Sequence, residues 1–263
     1  MSSLSSIPNN SDYLLSLAEN YEEGYNTEQN PEAAFQLYLQ AAQAGNVEAQ
    51  YRLALCFDDG FGTEADNTQA MNWYLSAAVE GHLEAMNNLA CCYETHPQVA
   101  DPVRAIYWYT KAAEAGHARA QYNLAICYDQ GEIVEENKAL AILWYRRAAE
   151  QNLPEAQNNL AYCYKHADGV AQDIEQAVFW YRKAAAQGHP YAQIGLGKCY
   201  YHGTGVMLDY DEAARWFMQA AHQGDATACR LLAECYELGR GVPCSPFEAD
   251  RWRYLARMSE KEE

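Results

Sequence analysis

Cysteine is the residue type whose spacing in this sequence could support chemistry. Six cysteines recur at one register, as a ladder of disulfides or metal sites would require: Cys56, Cys92, Cys127, Cys163, Cys199 and Cys235. Packed helices lie about 8–10 Å apart, whereas a disulfide needs Cα atoms within about 7 Å, so equivalent residues of neighbouring repeats cannot be bridged. We therefore predict that these six thiols are free, buried as small apolar side chains, and reactive only after unfolding.

The remaining cysteines and the histidines have no recognisable metal-ligand or disulfide pattern. Cys91 occupies the next register, which is predicted to face outward, and it is our candidate for a reactive thiol. Cys229 and Cys244 have no pairing signature. Three histidines follow a repeated glycine near a predicted helix start and are interpreted as structural: His82, His117 and His189. No C-x-x-C, H-E-x-x-H or calcium-loop pattern occurs, so we predict no metal, no disulfide and no cofactor.

Charge and hydropathy exclude several classes of partner. The 263 residues include 36 acidic and 18 basic side chains, a net charge of −18. Such a chain repels nucleic acid and anionic membranes over most of its surface. The first residues lack the features of a secretory signal, and apolar residues never run long enough for a spanning helix, so we expect a cytoplasmic protein.

The chain repeats itself every 35 or 36 residues. Each repeat contains a tryptophan or leucine followed by an aromatic residue: Leu37-Tyr38, Trp73-Tyr74, Trp108-Tyr109, Trp144-Tyr145, Trp180-Tyr181 and Trp216-Phe217. Trp252 continues the series. A second apolar pattern precedes each pair, and it has the i, i+4, i+7, i+8 spacing of a helix, as at Ala49, Leu53, Cys56 and Phe57. Seven helix pairs are therefore predicted, starting near residues 12, 47, 83, 118, 155, 191 and 227.

Capping residues and glycines divide the predicted helices. The second helix of each repeat follows a good N-cap: Asn30, Asp66, Asp101, Asn137, Asp173, Asp209 or Ser245. Glycine or asparagine, as at Gly45 and Asn152, predicts its C-terminal end. Glycine pairs such as Gly203 and Gly205 predict the turn inside a repeat, and Thr95-His96-Pro97 predicts a differently shaped turn in the third, which is one residue short. Because a lone helix pair cannot bury its apolar stripes, we predict one uninterrupted repeat domain, an all-α, α/α superhelical solenoid over residues 12–258, with short tails at 1–11 and 259–263.

These repeats resemble the Sel-one-like repeat family, which is related to the tetratricopeptide repeat. The resemblance rests on Ala-Gln-Tyr-Asn-Leu-Ala at 120–125, Cys-Tyr at 127–128, Gly-x-Gly-Val at 203–206 and Trp216-Phe217 followed by Ala220-Ala221. It implies a helical solenoid that serves as an adaptor or scaffold for other proteins, not an enzyme. The β-lactam hydrolysis linked to some such proteins would need Ser-x-x-Lys and Lys-Thr-Gly, and the sequence has neither.

The first helix of each repeat has one face that is predicted to be free for binding. Counting the repeat alanine as position one, positions one, five, eight and nine face the core, whereas positions three, seven and ten point away from it. We call these three positions the first-helix face; it should line the concave side, as in tetratricopeptide-like stacks, and position four flanks it. The candidate partner-binding residues on and beside it are Tyr51, Leu55, Asn87, Asn88, Cys91, Tyr122, Asn123, Ile126, Asn158, Asn159, Tyr162, Lys165, Ile194, Lys198 and Tyr201.

Aromatic and aliphatic side chains beside amides are typical of a surface that binds another protein. The acidic ends of the face favour an extended or helical segment of basic or mixed charge: Asp58, Asp59, Glu94 and Asp129 at one end, Glu234 and Glu237 at the other. Three alternatives stay open. Some of these residues pack between neighbouring first helices; the chain is a regulatory or inhibitory subunit that occludes a partner enzyme; or, remotely, it is a hydrolase. The oligomeric state is open, with a monomer favoured.

Overall fold

The computed structural model describes residues 10–25, 27–97 and 99–260, and within them it shows fourteen α-helices and no strand. The helices are α1 Asn10–Glu23, α2 Pro31–Gln43, α3 Val47–Asp59, α4 Asn67–Val79, α5 Leu83–Thr95, α6 Pro102–Glu114, α7 Ala118–Gln130, α8 Lys138–Glu150, α9 Pro154–His166, α10 Ile174–Ala186, α11 Pro190–His202, α12 Tyr210–Ala221, α13 Ala226–Leu238 and α14 Pro246–Ser259. The predicted all-α solenoid of helix pairs is confirmed. The predicted first-helix starts agree with the structure to within two residues. Of the predicted tails, residues 1–9 and 261–263 lie outside the described residues.

The chain divides into two compact units, Met1–Ala120 and Gln121–Glu263. In the first unit, α2 packs against α1 and α3, and α4 packs against α3 and α5. In the second unit, α10 packs against α9 and α11, and α12 packs against α11 and α13. Each of these second helices therefore contacts the first helix of its own repeat and that of the next, which buries both of its apolar sides.

Small and aromatic residues share the core in both units. Alanines at the crossing points are buried, and so are the position-five leucines: Leu53, Leu89, Leu124, Leu160, Leu196 and Leu232. The ring that follows the repeated tryptophan or leucine is also buried, at Tyr38, Tyr74, Tyr109, Tyr145, Tyr181 and Phe217. The predicted core positions one, five and eight are confirmed from the second repeat onward, whereas in α1 Leu17 at position five is half-buried and Tyr13 at position one is 59% exposed. Position nine is variable, because Tyr93 and Tyr164 are buried whereas Phe57 is half-buried.

The helix ends form as the capping residues predict. Every predicted N-cap side chain accepts a hydrogen bond from an amide of its helix; for example, Asp66 accepts from Thr68 N at 2.9 Å and from Gln69 N at 3.0 Å. Gly45 and Asn152 follow the ends of their helices with positive φ. These bonds satisfy amides that the helix itself leaves without partners.

The turn inside a repeat requires glycine for two reasons: its backbone has a positive φ, and a neighbouring helix leaves no room for a side chain. Gly62 has a φ of 67°, and a Cβ built on it would lie 2.1 Å from the carbonyl oxygen of Pro31, at the start of α2. The turn thus packs directly on the preceding second helix. In the third repeat, His96 ends α5 with extended backbone, and the predicted change in turn shape is confirmed.

In the described part of the chain, no helix combines the length and apolar character that crossing a membrane would require.

Candidate functional site

The periodic cysteines belong to the core. All six are buried as predicted, and all nine cysteines of the chain are free thiols. Burial raises the pKa of Cys56, Cys92 and Cys163 to about 12. Such thiols stay protonated at neutral pH and are poor nucleophiles. Among the described residues, no group of three or more His, Cys, Asp or Glu side chains is placed to hold a metal ion.

Cys91 differs from its prediction as an outward-facing reactive thiol. It is half-buried, and its Sγ atom lies 3.0 Å from the hydroxyl oxygen of Tyr109, whose one proton is donated to Glu94. Burial raises the pKa of the Cys91 thiol, although the contact with Tyr109 opposes this. The expectation is therefore corrected: position seven of α5 is directed toward α6, and the thiol does not become a ready nucleophile.

The three repeated histidines are N-caps of first helices. The Nδ1 atoms of His82, His117 and His189 accept hydrogen bonds from the amides three residues later, at 3.2, 3.1 and 3.3 Å. Burial lowers the pKa of His117 and His189, which favours the neutral ring that this acceptor role needs. The structural role predicted for these residues is confirmed.

Carboxylates at position ten are used inside the repeats. The buried tyrosine of the second helix donates its hydroxyl proton to a carboxylate in each of the first four repeats: Tyr38 to Glu22, Tyr74 to Asp58 at 2.9 Å, Tyr109 to Glu94 at 2.6 Å, and Tyr145 to Asp129 at 3.1 Å. Further along, Glu234 accepts from Tyr201 at 2.7 Å, and Glu237 pairs with Arg253. Most of the acidic groups that favoured a basic partner are therefore engaged within the chain. Asp59 is exposed.

The flanking asparagines of position four support the same tyrosines. Asn88 donates to the hydroxyl of Tyr74 at 3.5 Å, and a hydrogen bond from Asn159 lowers the pKa of Tyr145, although burial raises it overall. Asn88 and Asn159 each also accept from the preceding asparagine at 3.2 Å. Asn123, the third of these asparagines, is half-buried.

In the first unit, the first-helix face is partly occupied by the chain's own rings. Tyr51 is half-buried and stacks on the His82 ring with 4.4 Å between centroids. Leu55 lines a cavity of about 290 Å³ together with Glu22, Arg52 and Asp59. Most of this face is thus only moderately accessible.

In the second unit, the first-helix face is more open. Tyr162 is 51% exposed, and its ring centroid lies 4.2 Å from that of His166. It borders a cavity of about 200 Å³ whose other lining residues are Asp129, Asn158, Asn159, Cys163 and Asp168. Five other candidate residues of this face are half-buried: Tyr122, Ile126, Lys165, Lys198 and Tyr201.

Two residues predicted to point away from the core are buried. Ile194 is 6% exposed and joins the apolar cluster around Phe217. The reason is the glycines of α11, since a Cβ on Gly195 would lie 2.7 Å from the Tyr181 ring and one on Gly197 2.6 Å from the Phe217 ring. Because these two glycines carry no side chain, the backbone of α11 lies close to both rings. Asn87, also 6% exposed, donates to its neighbour Asn88. Exposure at position three is therefore corrected for both residues.

Sequence reasoning missed a glutamine ladder in the second unit. The side-chain amides of Gln151, Gln187 and Gln223 donate to the side-chain Oε1 atoms of Gln121, Gln157 and Gln193, at 2.8, 2.9 and 2.9 Å respectively. Gln157 in turn donates to the backbone carbonyl of Ala149 in the preceding repeat, at 3.0 Å. The recurrence of glutamine directly after the repeat alanine was the available signal. Each of these three glutamine pairs joins the first helix of a repeat to the end of its second helix, and the bond from Gln157 to Ala149 links that repeat to the preceding one.

A larger cavity, of about 590 Å³, lies at the last helix pair. Its charged lining groups pair with one another, since Arg253 contacts Glu237 and Arg230 contacts Glu260. The cavity therefore offers a ligand few charges that are not already used.

The chain is similar to known repeat proteins. The family model described as the Sel1 repeat matches residues 11–46, 47–82, 83–117, 118–153, 154–189, 190–225 and 226–249. The chain is 31% identical to a protective antigen present in uropathogenic Escherichia coli strains and displaying an SLR fold, with a TM-score of 0.89 over 95% of this chain and 54% of the antigen. It thus spans about half the length of the antigen.

Two further solved structures show the same architecture. A Sel1 repeat protein from Oxalobacter formigenes is also 31% identical, with a TM-score of 0.81 over 94% of this chain and 97% of that protein. An immunity protein from Pseudomonas aeruginosa is 22% identical, with a TM-score of 0.53 over 82% of each chain, and that likeness concerns the fold alone. None of the curated proteins matches the chain.

Proposed function

Because the chain belongs to the Sel1 repeat family, we propose that it is a non-catalytic adaptor that binds a segment of another protein along the first-helix face of its second unit. Sel1 repeat proteins generally mediate interactions between proteins. Repeat arrays suit this role because stacked helices expose a long row of equivalent positions. The segment is extended or helical, and no cofactor takes part.

The observation that carries the proposal is the exposure of Tyr162 beside amides. Neighbouring rings of the second unit, such as Tyr145, Tyr164 and Tyr181, are buried and explained by packing. Tyr162 instead lies half in solvent at the edge of a cavity lined by Asn158 and Asn159. Tyrosine offers a large contact area with few rotatable bonds, and amides offer donors and acceptors to a peptide backbone.

A photo-crosslinking amino acid at position 162 tests this function. In the source cell it should join the chain to a discrete protein, whereas the same amino acid at Tyr191, which is 65% exposed on the same unit, should not. With that partner purified, Tyr162→Ala should weaken binding by about 2 kcal/mol, the cost of removing an interface anchor. Tyr191→Ala should leave it unchanged, and the helical circular dichroism should be the same for both variants.

Equal crosslinking at the two positions, or equal affinity of the two alanine variants, would remove the proposed face. The identity of the crosslinked protein also separates an adaptor from the regulatory alternative. An enzyme whose activity falls on binding would favour an inhibitory subunit that uses the same face.

A further inference from the structure

Two lysines interrupt the pattern of the first-helix face in the second unit. Position ten holds a carboxylate bound by a buried tyrosine in the first four repeats, but in the fifth it holds Lys165, although the tyrosine is kept as Tyr181. Position seven is apolar or weakly polar in the second to fifth repeats, but in the sixth it holds Lys198. Lys165 cannot accept the hydroxyl proton of Tyr181 in the way that the carboxylates of the first four repeats accept from their tyrosines.

Neither ammonium group is neutralised by the chain. Across residues 10–25, 27–97 and 99–260, the side chains of Lys165 and Lys198 have no hydrogen bond and no salt bridge. By contrast, Lys138 in the same unit bridges Asp129 at 2.8 Å and Asp168 at 3.4 Å. In a chain with twice as many acidic as basic residues, two half-buried lysines without a carboxylate are exceptional.

The two lysines belong to neighbouring first helices. Helices α9 and α11 both pack against α10. The charge of Lys165 on α9 acts on Cys199 of α11, the residue after Lys198; burial raises the pKa of that thiol, and the lysine opposes the rise. Tyr162 lies one turn before Lys165 on α9. The nearby carboxylates are occupied, because Asp129 and Asp168 contact Lys138 and Glu234 accepts from Tyr201.

We propose that Lys165 and Lys198 form a subsite for a carboxylate side chain of the bound segment, an Asp or Glu next to an apolar residue that packs on Tyr162. This inference rests on the proposed function and specifies the chemistry of its partner. Lysines donate charge-assisted hydrogen bonds to a carboxylate. The net charge of −18 repels a long acidic tract, but salt screens that repulsion beyond about 8 Å. A segment with only one or two acidic residues can therefore contact the lysines without strong repulsion from the rest of the chain.

Selection from a displayed library of random peptides on the full chain tests the subsite. Peptides that depend on Tyr162 should be enriched in an Asp or Glu beside an apolar residue. The double variant Lys165→Gln with Lys198→Gln should bind them about tenfold more weakly, as expected for the loss of hydrogen bonds to a charged group. Lys183→Gln is the matched control: that lysine belongs to α10, with its ammonium 4.9 Å from the Phe179 ring centroid, and its loss should not change the affinity.

A double-mutant cycle makes the assignment specific. Replacing the acidic residue of a selected peptide by its amide should weaken binding to the original chain as much as the lysine variant does, with little further loss when both changes are combined. The variant Lys165→Glu with Lys198→Glu should select basic peptides instead.

The outcomes separate this inference from the proposed function. The subsite would be overturned if the selected peptides depend on Tyr162 but are not enriched in Asp or Glu, or if the lysine variant binds them with unchanged affinity. Either result would still support the proposed function. If no selected peptide depends on Tyr162, both proposals fail.

Discussion

Gln50 and Gln157 stand at the same position of two repeats, yet they have opposite surroundings. Gln157 is fully buried, donates to Ala149 and Asn152, and accepts from Gln187. The Oε1 atom of Gln50 is buried without a hydrogen-bond partner among the described residues. The same residue type therefore stabilises the second unit and is unfavourable in the first, because a buried polar atom contributes to folding stability only when it has a hydrogen-bond partner.

Methionine, which stands at this position in the third repeat as Met86, gives a matched pair of variants. Gln157→Met should lower the free energy of unfolding by about 1–3 kcal/mol, since it removes three hydrogen bonds inside the core. Gln50→Met should leave it unchanged or raise it by up to about 1 kcal/mol. Urea unfolding followed by circular dichroism measures both. Equal effects at the two positions would show that the ladder contributes nothing specific.

At the scale of an element, the turn inside a repeat is fixed by contact with the preceding second helix. Gly62 and Gly45 both have positive φ, so an L side chain at either position strains the backbone. Only Gly62 also faces a neighbour at close range, the Pro31 carbonyl of α2, whereas a Cβ on Gly45 would meet nothing within 4 Å. The two glycines therefore separate backbone strain from steric contact.

Gly45→Ala should cost about 1 kcal/mol of unfolding free energy, the usual cost of a left-handed conformation for alanine. Gly62→Ala should cost roughly 3 kcal/mol or more, because the turn must also move away from α2. Thermal unfolding of the two variants at equal concentration compares them. A loss at Gly62 no greater than that at Gly45 would mean that the turn yields without disturbing the helix.

At the scale of the whole molecule, the buried thiols make stability depend on alkaline pH. Burial raises the pKa of Cys56, Cys92 and Cys163 from 9.0 to about 12 and that of Cys235 to about 11. Above pH 9 the unfolded chain releases these protons while the folded chain keeps them. Unfolding is then favoured as the pH rises, so the contribution of these groups is complete below pH 9 and declines toward pH 12.

Each such thiol should contribute a decline of about 1.4 kcal/mol per pH unit within that window. Urea unfolding between pH 8 and about pH 11 measures the slope. Cys56→Ala should make it shallower by the share of one thiol, whereas Cys244→Ala, which changes an exposed cysteine, should not alter it. An unchanged slope in Cys56→Ala would place the pH dependence elsewhere.

The sequence by itself determined the helix pairs, their caps and the core register. These features depend on residues close together in the chain: Asp66 caps the helix that begins at the next residue, and Leu53 lies one turn from Ala49. The period of an α-helix converts such spacing directly into a face, and repetition over seven copies made the pattern unambiguous.

Only the tertiary structure decided which residues of the outward face stay accessible. Ile194 is buried because glycines let α11 approach its neighbours, and Cys91 contacts the hydroxyl of Tyr109. The side chains of Gln121, Gln157 and Gln193 bind partners that lie thirty residues away in the sequence. Lys165 and Lys198 stand out only once the bonds made by their counterparts in other repeats are known. Contacts of this kind depend on the distance and angle between helices. The sizes of many side chains together set that geometry, and the period of a helix does not encode it.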